Sequence, residues 1–370
     1  MCTGGAIFQT FLSGLGFSSQ QIYILSTVST VTNIMTVMVT SQWGDRGNVL
    51  KKIALIQVPL AAVYLFYIPM CIWKSASPEA FWILMTIGLL QAVCVALHSV
   101  CCYRQTYYLY EAKVYGSVQA VSGISTSVVS LAVGVLLAWM ADKMPYEQIM
   151  MIGCAVAAVL LLTSAILFST MRPITTAEPN VAKPEVEKKK SLWELFRYPL
   201  FYRLIPANFM RGFGVTVVGY MAVVALDLGF DQRITTAMVS VQSAASLVAC
   251  AFFGVGVKFK HPKFFVLLGS LSFMVIPLAF IKSEWLLLCV FALMVFGRVM
   301  IDYSMPAVLR SAIPVEISGS YNSWRMLISN TGCMLAGVVA TMIPAQWLLI
   351  VTMVFQFVAG ISYYSVKELD

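Results

Sequence analysis

Long apolar runs alternate with short polar turns along the whole chain. A helix needs roughly 20 residues to cross a ~30 Å hydrocarbon core. Runs of that kind cover Met1–Leu15 (short), Ile22–Thr40, Ile53–Trp73, Ala80–Val100, Gly116–Met140 and Ile149–Met171. They resume over Leu200–Ala225, Thr235–Val257, Phe264–Ile281, Trp285–Leu309, Gly319–Ile343 and Trp347–Tyr364. The pattern predicts twelve helices, six on each side of one break. That break, residues 172–199, reads RPITTAEPNVAKPEVEKKKSLWELFRYP, with Pro173, Pro179 and Pro184 followed by a charge cluster from Glu185 to Lys190. A proline- and charge-rich passage without an apolar period cannot bury a face, so it is expected to be a solvated linker. It separates residues 1–171 from residues 200–370.

Composition narrows the class. Apolar residues are 60% and charged residues 11% of the chain, against ~45–50% and ~25% in soluble domains. With a mean hydropathy of +0.85, the chain is expected to be an all-α, multi-pass membrane protein. Nine cysteines without C-x-x-C spacing and two histidines, His98 and His261, argue against a metal site or a disulfide framework. Phosphate-binding loops, nucleophile elbows and paired catalytic carboxylates are missing, so neither an enzyme nor a cofactor is expected.

The net charge is +8, and its distribution matters more than its sum. Of the 24 Lys and Arg, Lys74, Lys143, Arg233 and Lys282 fall on the side opposite the linker, and Arg211, Arg298 and Arg325 fall within spans. The other seventeen share the linker side. That bias places the linker and the C-terminus in the cytoplasm, at the cell (plasma or inner) membrane. Trp73, Trp82, Trp139, Trp285 and Trp347 lie at the opposite ends of their spans, as an aromatic belt would.

The two flanks repeat one another. Leu15-Gly16-Phe17 ends the first span, and Leu228-Gly229-Phe230 ends the seventh, 213 residues on. The same shift carries Ser41 to Gly254 and Asp45 to Lys258. Gly116-Ser117 and Gly134 in the fifth span match Gly319-Ser320 and Gly337 in the eleventh at a shift of 203. These anchors predict a parallel duplication. The seventh span runs ~25 residues before its Leu-Gly-Phe, whereas fourteen residues, ~21 Å of helix, precede the first. The chain is therefore expected to begin partway through its first helix, unless that helix is short and re-entrant.

Between spans two and three the chain reads Ser41-Gln-Trp-Gly-Asp45-Arg46-Gly-Asn48, then Lys51-Lys52. This resembles the loop signature G-x-x-x-D-R-x-G-R-K/R of the major facilitator superfamily. Asp45 and Arg46 match it, Ser41 and Asn48 stand for its glycines, and the basic pair is displaced. The resemblance implies two pseudo-symmetric six-helix bundles that rock around a central cavity lined by helices 1, 4, 7 and 10. It also implies that Asp45, with Arg46, holds the linker-side gate shut against the start of helix 11 at Ser318–Gly319. The plain alternative is that both are loop charges. The turn with Gly16, Ser18, Gln21 and Ile22 is similar to uptake-type members. Helix 5 lacks the proline motif of drug/proton antiporters.

Ionisable residues inside spans are costly and usually functional. Arg211 on helix 7 and Arg298 on helix 10 are the leading solute contacts, because a guanidinium offers a fixed fork to a carboxylate or phosphate. Asp302, four residues after Arg298, is the one acid placed within a span and the candidate for proton coupling; a purely structural Arg298–Asp302 pair is the alternative. Gln91 on helix 4 is a further solute-contact candidate, with helix bridging as the alternative, and Asn208 and Tyr220 on helix 7 are others. Arg325 either gates the linker side or snorkels to the surface. The function expected is secondary transport of a small, anionic organic solute, with protons as the coupling ion. Efflux of drugs or metabolites, a non-transporting sensor and an inactive fragment are the alternatives. A monomer among membrane lipid, without nucleic acid, is expected.

Overall fold

The computed structural model describes residues 6–40, 48–73, 77–109, 112–141, 143–171, 199–256, 262–312 and 315–366. Linker residues 172–198, Asp45, Arg46 and Lys258 lie outside them. The described residues form twelve helices. The first six are α1 (Ala6–Gly14), α2 (Ser19–Thr40), α3 (Val49–Trp73), α4 (Pro78–Leu109), α5 (Ala112–Ala141) and α6 (Tyr146–Thr170). The second six are α7 (Pro199–Asp227), α8 (Gln232–Gly256), α9 (Pro262–Leu271), α10 (Glu284–Ala312), α11 (Val315–Met342) and α12 (Ala345–Ser365). Around Pro277, α9 continues as a 3-10 segment, Ser272–Phe280. Nine of the twelve are long and apolar enough to cross a membrane. Several boundaries move from expectation. α4 continues past Val100 to Leu109, because hydropathy marks where a helix leaves lipid rather than where it stops. α11 opens at Val315, which puts Ser318 and Gly319 inside the helix, at its fourth and fifth residues.

The same packings recur in both halves. α3 packs on α6 and on α4, and α2 on α4; in the second half α9 packs on α12 and on α10, and α8 on α10. The turns repeat as well. α1 ends with Phe17 N–H donating to Leu12 C=O and Gly16 N–H to Ser13 C=O, each at 3.0 Å. α7 ends with Phe230 N–H donating to Ala225 C=O (3.1 Å) and Gly229 N–H to Leu226 C=O (2.9 Å). Both are Schellman caps, which need a left-handed residue at the turn. Glycine supplies it, with φ of 90° at Gly16 and 87° at Gly229. The next helices start alike. In α2 a capping box joins Gln21 N–H to Ser18 Oγ (3.3 Å) and Ser18 N–H to Gln21 Oε1 (2.9 Å). In α8, Asp231 Oδ1 accepts from Arg233 N–H at 3.1 Å. Ser18 and Asp231 are again 213 residues apart.

The halves meet along α2–α11 and α5–α8. These contacts are themselves related by the repeat. A methyl placed on Gly337 of α11 would overlap Thr27 Oγ1 of α2, and one on Gly134 of α5 would stand 3.4 Å from Ser240 Oγ of α8. Gly337 is 203 residues after Gly134, and Ser240 is 213 after Thr27, so both shifts read from the sequence meet in one pair of crossings. A second close approach pins α5 to the other half: a methyl on Gly123 would overlap the Tyr303 hydroxyl of α10 and lie 2.9 Å from Cys250 Sγ of α8. The symmetry is incomplete at α1. α11 packs closely on α7, while α5 has no comparable packing on α1 among the described residues.

Large apolar side chains such as Leu55, Ile166 and Val129 are exposed. An apolar solvent is their natural surrounding. The five tryptophans expected in an aromatic belt are all exposed, and Lys143 Nζ sits 4.1 Å over the Trp139 ring.

Candidate functional site

At mid-depth a cavity of about 380 Å³ opens between the halves, within the range of small-ligand sites. On α2, Ser26, Ser29, Thr30 and Asn33 all line it. Their i, i+3, i+4, i+7 spacing is one helix face. The lipid side of the same helix shows Met35 and Val39 exposed. α4 adds Gln91, Ala92, Val95 and Ser99; α7 adds Val215, Thr216, Gly219 and Tyr220; α11 adds Met326, Asn330 and Cys333. α10 contributes Arg298. Among the described residues that line the cavity, Arg298 is the one charged side chain.

Three of the four charges expected within spans, Arg211, Arg298 and Asp302, come together at the edge of this cavity. Arg211 Nη2 of α7 donates to Asp302 Oδ1 of α10. Arg298 Nε lies 3.7 Å from Asp302 Oδ2. Two guanidiniums thus share one carboxylate, which leaves a net positive charge. The Arg211 side chain is 12% exposed, and its Nε has no hydrogen-bond partner. Arg211 stands behind the wall, and Asp302, 37% exposed, is not among the lining residues; Arg298, one-third exposed, reaches the cavity. Arg211 closes on Asp302, so Arg298 is the cation available to a second anion.

The remaining candidates separate. Gln91 is buried and held on two sides: Tyr67 OH donates to its Oε1 at 2.8 Å, and its Nε2 donates to Tyr64 OH at 3.4 Å. Phe8 of α1 packs edge-on against Tyr67 with centroids 5.4 Å apart. Tyr220 lines the cavity and meets Tyr23 edge-on at 5.0 Å. Asn208 is not among the lining residues. It lies two turns nearer the linker end of α7, where Tyr363 OH of α12 donates to its Oδ1 at 2.6 Å and its own Nδ2 donates to Leu204 C=O. Arg325 is half-buried on α11 and also stands outside the lining set.

Some contacts were not singled out from the sequence. Asn330 Nδ2 of α11 donates to Asn33 Oδ1 of α2 at 3.4 Å, bridging the halves across the cavity. On the side opposite the linker, Asp227 at the end of α7 accepts from Ser19 Oγ at 2.6 Å and from Tyr23 OH at 3.2 Å. This joins the halves above the cavity. The polar stripe of α2 was readable as four hydrogen-bonding side chains at helical spacing in an apolar run. The Asp227 contact had no such signal, because its partners lie 208 and 204 residues away.

No curated protein matches the chain. A family profile does, over residues 1–337, and it is that of the Major Facilitator Superfamily. Twelve helices in repeated packings, a cavity between the halves and a match over most of the chain agree: the protein belongs to the Major Facilitator Superfamily, a family of multi-pass membrane transporters of small molecules.

Proposed function

We propose that the chain is a secondary transporter that takes up a small organic anion by alternating access, coupled to protons through Asp302. One observation carries this reading. Arg298 is the charged group presented to the cavity, and the carboxylate beside it is already engaged by Arg211. A half-buried guanidinium facing a polar cavity favours a carboxylate, through charge-assisted hydrogen bonds. Gln91 and Tyr220 add neutral contacts. Arg211 and Asn208 act from behind the wall, Arg211 by holding Asp302.

In this reading residues 1–171 and 200–370 rock about the cavity as two bundles, with the 172–199 linker and the C-terminus on the cytoplasmic side of the cell membrane. Asp45 and Arg46 close the linker-side gate, and Arg325 borders it. Protonation of Asp302 releases both guanidiniums and so links proton and solute movement. The unit of function is a monomer.

Counterflow in proteoliposomes tests the reading, with labelled monocarboxylates of three to six carbons as probes and a pH gradient imposed or omitted. Carboxylate exchange is expected in the intact chain and is lost in Arg298→Gln. Asp302→Asn is expected to retain exchange while losing accumulation driven by the pH gradient. Undiminished exchange in Arg298→Gln would remove the anion assignment.

A further inference from the structure

The hydroxyls around Arg298 carry information about the rest of the solute. Thr30 Oγ1 donates to Ser26 C=O at 2.9 Å, Ser99 Oγ to Val95 C=O at 2.8 Å and Thr216 Oγ1 to Gly212 C=O at 3.0 Å. Each therefore spends its single proton on its own helix. Each oxygen keeps lone pairs and can only accept from anything else. Asn33 Oδ1 receives only a long 3.4 Å bond from Asn330. Ser29 Oγ is buried without any partner, and Ser29 lines the same cavity. An orphaned buried hydroxyl costs ~1–3 kcal/mol, so it marks a place where a bound group belongs.

The wall thus presents one strong cationic donor, three helix-bonded hydroxyls on three helices that can only accept, and the unpartnered Ser29 hydroxyl. A plain aliphatic acid would satisfy Arg298 and leave the acceptors unfilled. An amino acid would bring an ammonium toward a guanidinium with no lining carboxylate to offset it. A phosphate monoester carries about −1.5 to −2 at pH 7, more than the single net charge left after Asp302 engages Arg211. A monoanion whose remaining polar groups are neutral donors meets every condition. Resting on the anion reading above, the geometry points to hydroxylated monocarboxylates as the solute class: the carboxylate on Arg298, and the solute hydroxyls donating to Ser29, Thr30, Ser99 and Thr216.

The test uses the purified full chain in nanodiscs and measures binding by calorimetry for matched pairs. Glycerate, threonate, ribonate and gluconate are each compared with the unsubstituted acid of equal carbon number. Sorbitol and norleucine serve as neutral and zwitterionic references. At one chain length or more, the hydroxylated acid is expected to bind at least tenfold tighter than its parent. Ser29→Ala and Thr216→Val are expected to collapse that ratio toward one, while circular dichroism shows both folded. If no hydroxylated acid binds better than its parent at any length, the inference is overturned, and binding of the parents would leave the anion reading standing. If sorbitol binds as well as gluconate and Arg298→Gln changes neither, the anion reading fails while the hydroxyl contacts survive. Tighter binding of norleucine than of any hydroxylated acid would replace the class proposed here.

Discussion

The close approach of α11 to α2 offers a direct test of how the halves fit. Gly337→Ala places a methyl against Thr27 Oγ1, with Thr27 Cβ and Tyr220 OH each 3.1 Å away. Thr27 cannot simply turn aside, since its hydroxyl donates to Tyr23 C=O at 2.8 Å; breaking that bond costs ~1 kcal/mol. The alternative is to part α2 from α11, and an added gap of 0.5–1 Å forfeits a quarter to a half of each dispersion contact along the seam. Overpacking of this kind typically costs ~1–3 kcal/mol, so the sum is about 2–4 kcal/mol. At ~2–4 °C per kcal/mol for a chain of a few hundred residues, the transition should fall by roughly 5–15 °C. Thermal unfolding in nanodiscs, followed by tryptophan fluorescence, reads it. Gly153→Ala is the control, since nothing lies within 4 Å of a methyl there. Adding Thr27→Ala removes the clashing oxygen and should restore most of the loss. A Gly337→Ala transition indistinguishable from that of Gly153→Ala would show that α2 and α11 do not approach as described.

Other consequences follow from single contacts. Asp227→Asn takes charged acceptors from Ser19 and Tyr23; discounted for the exposure of Asp227, the loss is ~1–2 kcal/mol. Thiol modification of Cys333 from the side opposite the linker, with the other cysteines replaced, should accelerate roughly 5- to 30-fold; an unchanged rate would mean the contact does not hold that side closed. Asp302→Asn strands the Arg211 guanidinium, whose Nε is already unpartnered, and should lower the unfolding temperature, with Arg211→Met in the same chain recovering part of the loss. Equal stability of the single and double variants would argue against that pairing. Tyr67→Phe removes the 2.8 Å donor to Gln91 Oε1 and should cost ~1–3 kcal/mol of stability; a neutral result would mean that the Gln91 carbonyl finds another donor.

Much of this architecture was legible because lipid makes hydropathy a geometric quantity: a run long enough to cross became a helix, and a polar break became a turn. Leu-Gly-Phe was equally informative, since a glycine at a left-handed cap has a mechanical reason to recur. The turn from Gly16 to Gln21 invited a reading about uptake. Its residues serve as the cap of α1 and the capping box of α2, which gives the motif a mechanical role in the elbow. The charged trio was found because burial makes ionisable residues conspicuous. Sequence could not say that Arg211, rather than Arg298, would claim Asp302 most closely. That choice depends on the crossing of α7 and α10, ninety-one residues apart at the contact. Asn208 was hard to place for a related reason: it shares a helix with the cavity residues but sits at the depth where Tyr363 of α12 meets it. Asp45 and Arg46, the basis of the family resemblance, lie outside the described residues.

The tight glycine approaches also constrain how such a body can move. α5 and α11 occupy equivalent places in the two halves and run the same way. Gly123 stands where Met326 would be in α11, eleven residues from Gly337, or about 16 Å of helix. One pin therefore lies nearer the linker face and the other nearer the opposite face. A rigid rotation that preserves both approaches must have an axis passing close to each. Such an axis is tilted out of the membrane plane, so the rocking would carry a component of twist. Probes placed at the two ends of one helix would report unequal displacements.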